Sequence, residues 1–222
     1  MAVMRLGRKI KDLGITGPFT RWYDKNTREN RMEEIREYAG EMRRLLADGA
    51  RVLEVAPGPG YFAIELAKMG TYRITGMDIS ADFVALCRKN AAREGVEVEF
   101  VQGTVSKLPF AAQTFDGVFC SAAFKNFKEP LTALIEMHAA LKDGGIALIV
   151  DMNHDVSGAL LTAEAKKISR SGFERWFITN TFRSLARGAY SKAELETLIK
   201  QSPFTRHEIR AQGIGLYCYL YK

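Results

Sequence analysis

RVLEVAPGPGYFAIELAKMG, residues 51–70, places an apolar run, a glycine turn and a helical pattern in immediate succession. The run 51–55 carries a single acid, Glu54, and the helical part is marked by Phe62, Ile64, Leu66 and Ala67. A strand, a tight turn and a helix follow. Gly58 and Gly60 have no Cβ, so they permit positive φ and let a ligand approach the backbone. The helix beyond them presents unpaired N–H groups to that ligand. A turn of this kind suits a nucleotide-like cofactor.

Strand and helix alternate from there. Residues 72–78 (YRITGMD) form a strand ending on an acid, Ser80 caps a helix over 81–93, and Gly95 stops it. The alternation in VEVEFV predicts a third strand at 96–101, and a GTVSKLPF loop leads to a buried fourth strand, FDGVFCS, at 115–121. Pro130 opens a helix that runs to Leu141, and KDGG turns the chain into the apolar fifth strand, GIALIVDM, at 145–152. Five strands joined in this way predict a Rossmann-like, doubly wound α/β sheet, mostly parallel, in three αβα layers. Residues 156–190 are helical, aromatic and basic. A capping pattern, S-x-x-E, starts a helix at 191–201, and 204–210 with 213–222 form a closing antiparallel hairpin.

The flanks differ from this centre. Val3, Leu6, Ile10 and Leu13 predict a basic amphipathic helix, broken by Gly14, Gly17 and Pro18, and a second helix is expected over 27–46. The chain of 222 residues, 47% hydrophobic, is read as one domain, 1–222. Its parts are an N-terminal helical cap (1–50), a core (51–155), a helical insertion (156–190) and a final helix and hairpin (191–222). Net charge is +3 over 1–50, −3 over 51–155 and +6 over 156–222. Basic flanks fit an anionic acceptor, a membrane surface or nucleic acid, and equally a solvated basic face. No apolar run reaches the ~18 residues of a membrane span. The N-terminus is positive but lacks the apolar stretch and cleavage site of a signal peptide, so a cytoplasmic protein is expected. Cys87, Cys120 and Cys218 lie in separate elements, without ligand spacing, and read as buried small hydrophobes.

GPGYFA also satisfies the dinucleotide pattern G-x-G-x-x-G/A, and Asp78 lies 18 residues beyond Gly60. A nicotinamide-dependent oxidoreductase is therefore one alternative. Against it, Glu54 sits just before the turn, where a pyrophosphate gains nothing from a carboxylate. A cationic cofactor such as S-adenosylmethionine carries an ammonium that a carboxylate attracts. The sheet also closes in a hairpin, whereas a dinucleotide fold continues into a second βαβαβ half.

Taken in order, VLEVAPGPGYFAIELAK, MDIS, VQGTVSKLPF, FDGVFCSAAF and LKDGGIALIV resemble the class I S-adenosylmethionine-dependent methyltransferases, in the branch related to the ubiquinone and menaquinone C-methyltransferases. The likeness covers about residues 50–152 and implies S-adenosyl-L-methionine as cofactor, with S-adenosyl-L-homocysteine as product. It implies that Glu54 neighbours the methionine part and that the backbone of Ala56, Pro57, Gly58 and Gly60 passes beneath it. Asp78 would take the ribose hydroxyls and Ile79 the adenine face. Gly103, Thr104 and Val105 would hold the adenine edge, and Ser121 with Ala122 would lie under the cofactor. Two positions depart from the family. Ala56 replaces the first glycine, which asks for negative φ there, and Thr104 replaces a common aspartate. A cofactor-binding protein without catalysis is thus a further alternative. Glu54 as an ordinary ion-pair partner, Asp78 as a helix cap and Thr104 as a structural residue are the simpler readings of those positions.

Methyl transfer needs positioning more than a fixed base, so no catalytic residue follows from the sequence. Substrate-binding candidates are Tyr23, Lys125, Asn126, His154 and Trp176. Each has an ordinary structural alternative. The aromatic insertion predicts a cap over a small or lipid-like acceptor, apolar or anionic, and the basic segment 1–13 admits peripheral membrane contact. His138, His154 and His207 lie apart, so no metal is expected. Nucleic acid is not expected, because no RNA-binding module and no D/N-P-P-Y/F motif after the fourth strand is present.

Overall fold

Residues 52–55 of β1 (Arg51–Val55) are buried, as befits a strand covered on both faces of a parallel sheet. The computed structural model describes residues 14–222, so the helix expected over 1–13 lies outside the described residues. Alternate side chains of β1 enter two cores. Val52 meets Tyr38, Met42, Phe62 and Phe119 on one side, and Leu53 and Val55 meet Phe115, Leu134, Met137 and Ile199 on the other. Phe62 stacks on Phe119 with ring centroids 3.7 Å apart. Each such side chain contributes about 1.5–3 kcal/mol on burial.

The seven-stranded sheet has the order β3-β2-β1-β4-β5-β7-β6. β2 (Arg73–Asp78), β3 (Glu99–Gln102), β4 (Phe115–Ser121) and β5 (Leu141–Met152) run parallel to β1. β6 (Arg206–Gln212) and β7 (Gly215–Tyr221) form the closing hairpin, with β7 antiparallel to β5. The chain winds outward from β1 to β3, then returns to β4 on the other side of β1. This reversal sets a topological switch point between the carboxyl ends of β1 and β4, the usual place of a ligand crevice in such sheets. The second parallel half that a dinucleotide fold requires is replaced by the reversed hairpin.

Local chemistry fixes most boundaries. Ser80 accepts the Phe83 N–H at the start of α4 (Ala81–Glu94), and Gly95, left-handed at φ 67°, ends it. Ser191 and Glu194 form a reciprocal capping box on α8 (Lys192–Ile199). The segment 14–17 is non-helical, where a break was expected, and α1 (Pro18–Asn30), which was not expected, starts there, because proline at the first helical position costs no hydrogen bond. Two expectations need correction. α2 (Met32–Leu45) is therefore a separate helix beyond Arg31, and the expected 27–46 helix does not form as one piece. β5 begins at Leu141 rather than 145, since KDGG is held inside the strand as an irregularity in the pairing with β4.

α3 (Tyr61–Lys68) follows the glycine turn directly and α5 (Pro130–Ala140) leads into β5. α6 (Gly158–Ile168) and α7 (Gly172–Gly188) form a helical hairpin that leaves the carboxyl end of β5 and returns through a bridge between Asn153 and Tyr190.

A buried carboxylate joins α1 to the turn. Asp24 Oδ1 accepts from Tyr61 Oη at 2.8 Å and from Asn90 Nδ2 at 3.1 Å, and Asn90 also donates to the Pro59 carbonyl at 3.0 Å. Arg28 pairs with the other Asp24 oxygen at 3.0 Å. Asp24→Ala strands the Tyr61 and Asn90 donors, so a loss of about 2–4 kcal/mol in urea unfolding is expected, with faster proteolysis near α1. A variant as stable as the parent would show that α1 is held by other contacts.

Candidate active site

The turn after β1 is strained as well as glycine-rich. Ala56 has φ +56°, Gly58 +55° and Gly60 +81°, so the expectation of negative φ at Ala56 is overturned. Ala56 N–H still donates to the Met77 carbonyl at 2.8 Å. The chain must therefore leave the sheet within one residue, and alanine takes the left-handed conformation. At Gly60 a Cβ would lie 2.9 Å from Cys87 Sγ and 3.1 Å from Phe100 Cζ, so glycine is needed there for space as well as for φ.

Two buried acids floor the crevice. Glu54 is 3% exposed, and its Oε2 accepts the Ala63 N–H at 3.2 Å from the first turn of α3. Burial pushes its pKa up to about 8; the Ala63 N–H opposes the rise and the nearby Asp78 charge adds to it. Asp78, also buried, accepts from Gly58 N–H at 3.2 Å and from Ser80 N–H at 2.8 Å, one on each oxygen. Burial raises its pKa too, against the N–H groups of Ser80, Gly58 and Ile79. The structure thus brings Glu54, Ala56, Pro57, Gly58, Gly60 and Asp78 together. Ion pairing does not explain Glu54, because a backbone N–H is its bonding partner. Asp78 binds its helix start and the glycine turn at once.

The adenine-side candidates form the next wall. Ile79 is 40% exposed, and its carbonyl accepts from Gln102 Nε2 at 3.1 Å. Gly103 fits tightly, since a Cβ there would stand 2.7 Å from Met77 Sδ. Thr104 Oγ1 accepts the Ser106 N–H at 3.4 Å, which is a local turn role. Val105 is buried in the core, so only its backbone faces outward. On the other bank Ala122 has φ +55° and donates to the Val150 carbonyl at 2.8 Å, just beyond Ser121.

Of the acceptor-side candidates, Tyr23 covers the turn, with Cε1 3.5 Å from the Cβ position of Gly58. Arg31 Nη1 donates to its hydroxyl at 3.3 Å. Lys125 is engaged internally: its ammonium lies 2.7 Å from Asp151 Oδ1 and 2.8 Å from the Ala122 carbonyl. Its backbone N–H donates to the other Asp151 oxygen at 2.9 Å. The lysine therefore shapes the loop after β4. Asn126 is exposed. His154 Nδ1 is 3.0 Å from the Ala186 carbonyl, which only accepts, so Nδ1 is the donor of that bond. Trp176 is exposed on α7 and stacks on Phe173 at 6.1 Å. It does not line an interior pocket, because the inward row of α7 is Thr179 and Ala186.

Sequence reading missed Asp24, Asn90 and Asp151. Asp151 had a signal, an acid at the end of an apolar strand like Glu54 in β1. Asp24 showed only its local pairing with Arg28, since Tyr61 and Asn90, which tie it to the turn, lie 37 and 66 residues away. The segment 14–17 is also tied to α4, by Ser80 Oγ donating to the Ile15 carbonyl at 2.6 Å and Gly17 N–H to Asp82 at 2.7 Å. Beside it a hollow of about 360 Å³ is lined by Gly14, Ile15, Thr16, Phe19, Trp22 and Tyr23. A wider hollow, about 710 Å³, lies by Arg51 and Arg73 at the amino ends of β1 and β2, the far edge from the glycine turn. Among the described residues no group of three or more His, Cys, Asp or Glu side chains is placed to hold a metal ion.

Fold and crevice together define a class I, Rossmann-like methyltransferase fold. A structure with this fold, a SAM-dependent methyltransferase from Aquifex aeolicus, superposes with a TM-score of 0.69 at 18% identity, covering 94% of this chain and 99% of that one. In sequence, residues 53–149 match the family model described as a methyltransferase domain. The chain is 35% identical over 101 residues to the demethylmenaquinone methyltransferase of Chlorobaculum parvum, covering 46% of this chain and 40% of that protein. It is 30% identical over 155 residues to the 2-phytyl-1,4-naphtoquinone methyltransferase of Thermosynechococcus vestitus, covering 69% and 64%. In fold, and in sequence over residues 53–149, the chain is similar to the class I S-adenosylmethionine-dependent methyltransferases, and it spans about half the length of the curated relatives it matches.

Two outcomes follow from the turn. The folded Glu54 carboxyl keeps its proton up to about pH 8, whereas an unfolded one loses it near 4.5. Its contribution is therefore complete below about pH 4.5 and fades as pH rises through about 8. Ligand-free protein should lose stability from pH 5.5 to 8, and Glu54→Gln should flatten that slope. Equal slopes in urea titrations of both proteins would contradict the assignment. Ala56→Gly should raise stability by about 0.5–1 kcal/mol, because relief of about 1–2 kcal/mol of left-handed strain exceeds the entropy that glycine adds. An ordinary alanine-to-glycine loss would mean that the turn relaxes elsewhere.

Proposed function

We propose that this protein transfers a methyl group from S-adenosyl-L-methionine to a small, apolar, quinone-like acceptor, releasing S-adenosyl-L-homocysteine. The carrying observation is Glu54, a carboxyl buried at the switch point with one backbone N–H as its bonding partner. Such a group fits a cofactor bearing positive charge, which compensates the desolvation that holds the acid neutral. Asp78 has lone pairs left after binding Gly58 and Ser80, directed to the same crevice, and suits a pair of ribose hydroxyls. Ile79 offers an apolar face beside it, Gly103, Thr104 and Val105 offer backbone, and Ser121 and Ala122 form the floor. The names of the relatives support a quinone-type acceptor.

When bound, the cofactor supplies an electrophilic methyl on a sulfonium. This chain's residues do the rest. Ala56, Pro57, Gly58 and Gly60 set the depth of the crevice, Tyr23 shields it from water, and the Lys125–Asp151 pair fixes the loop facing it. Should the acceptor carry a proton that must leave, His154, just beyond β5, is the residue of a type suited to receive it. Asn126 and Trp176 stand outside this arrangement. The reading takes 1–222 as a single cytoplasmic domain with α6 and α7 as a cap, and peripheral contact with the membrane accompanies an apolar acceptor.

Calorimetry with S-adenosylhomocysteine tests the site. Binding should tighten from pH 6 to 8 as Glu54 ionises more readily, and the trend should vanish in Glu54→Gln. Asp78→Ala should weaken binding at least tenfold. Binding of NADH in place of S-adenosylhomocysteine would overturn the reading. Incubation with methyl-labelled cofactor and a lipid extract should yield a labelled quinone-type product; cofactor binding without any labelled product would favour a binding protein.

A further inference from the structure

The tip of the α6–α7 hairpin carries its apolar side chains outward. Ile168 is 39% exposed, Phe173 77%, Trp176 62% and Phe177 61%. Together they present roughly 400–500 Å² of apolar surface, from areas typical of such side chains, at the upper end of patches on soluble monomers. The buried row of α7, Thr179 and Ala186, is used against the rest of the fold, so this outward face is a separate surface. Exposed Lys166, Lys167 and Arg170 border it. Of the nearby acids, Glu164 pairs with Lys167 at 2.7 Å, Glu33 and Glu37 of α2 also act on Lys167, and Glu174 is turned back onto the backbone N–H of Arg170 at 2.6 Å, which leaves Lys166 and Arg170 as the cations at the patch.

We propose that this tip, centred on Phe173, Trp176 and Phe177, docks the protein on an anionic bilayer. Aromatic rings settle at the boundary between headgroups and acyl chains, while the flanking cations meet anionic headgroups. The charge selects this occupant. An apolar groove on another protein would cover the rings but would leave Lys166 and Arg170 without a role, and residues 156–222 carry a net +6. Position agrees as well. The hairpin leaves from and returns to the carboxyl end of β5, and exposed Phe19 and Trp22 lie on α1, which is seated on Gly58 at the same edge. Docking would turn the crevice toward the membrane; that consequence rests on the methyl-transfer reading, and docking itself does not.

Trp22→Phe leaves Trp176 as the only tryptophan, so its emission reports the tip in the full chain. With vesicles of equal phosphatidylglycerol and phosphatidylcholine, Trp176 emission should shift to the blue and be quenched by lipids brominated on the acyl chain. Pure phosphatidylcholine should give at least tenfold weaker binding, and raised salt should weaken the anionic case. Adding Phe173→Ser with Phe177→Ser should reduce vesicle binding at least tenfold while circular dichroism and S-adenosylhomocysteine binding are unchanged. Vesicle binding without quenching of Trp176 would place the contact elsewhere, on residues 1–13 for example, and overturn the assignment. Emission that is already blue without lipid, changing with protein concentration or with S-adenosylhomocysteine, would make the tip a dimer contact or a lid and overturn it too. Because the readout is fluorescence, failure here leaves methyl transfer untouched.

Discussion

Asp78 is the constraint on which the crevice depends. One oxygen holds the turn after β1 through Gly58, and the other holds the start of α4 through Ser80. A single carboxylate thus sets the distance between two neighbouring strand–helix units. Cys87, on the next turns of α4, adds a third tie by donating its thiol to the Gly58 carbonyl at 2.9 Å. The turn is therefore gripped from its N–H and C=O sides at the same residue. Its left-handed backbone persists because these partners over-determine it.

The acids around the crevice differ in how they are compensated. Asp24 and Asp151 have cationic partners, Arg28 and Lys125. Glu54 and Asp78 have backbone N–H groups instead, and burial raises both. A backbone donor satisfies geometry but brings no full charge. The fold has thus kept the acids that lack a cationic partner beside the glycine turn, and has neutralised those that hold loops in place.

How much was legible in the sequence follows from the range of each interaction. Ser80, Gly95 and the Ser191–Glu194 pair act within a few residues, and their helices began and ended as expected. The five parallel strands and the closing hairpin were readable from runs of Val, Ile, Leu and aromatic residues. Glu54 and Asp78 stood out as acids within or ending apolar strands. The start of α1 at Pro18 went unread because proline both ends helices and starts them, and only the positive φ of Gly17 before it decides which. What Lys125 and Trp176 meet was not legible for another reason. Whether a lysine meets Asp151, 26 residues away, and which side of α7 turns inward, depend on tertiary packing that no local pattern records.

The position of β7 has a consequence for how the molecule forms. β7 (Gly215–Tyr221) lies between β5 and β6 and pairs with β5 along seven residues. Tyr219 on it donates to Glu41 of α2 at 3.0 Å, across 178 residues of chain. During synthesis, β5 is thus complete while its partner is still unmade, and α2 has no β7 against which to close. An apolar strand edge waits, open to pairing with other chains, until residues 215–221 emerge. Strand closure is then a long-range event and a slow one. The aromatic hairpin that finishes the sheet is also the step at which a nascent chain passes from sticky to safe.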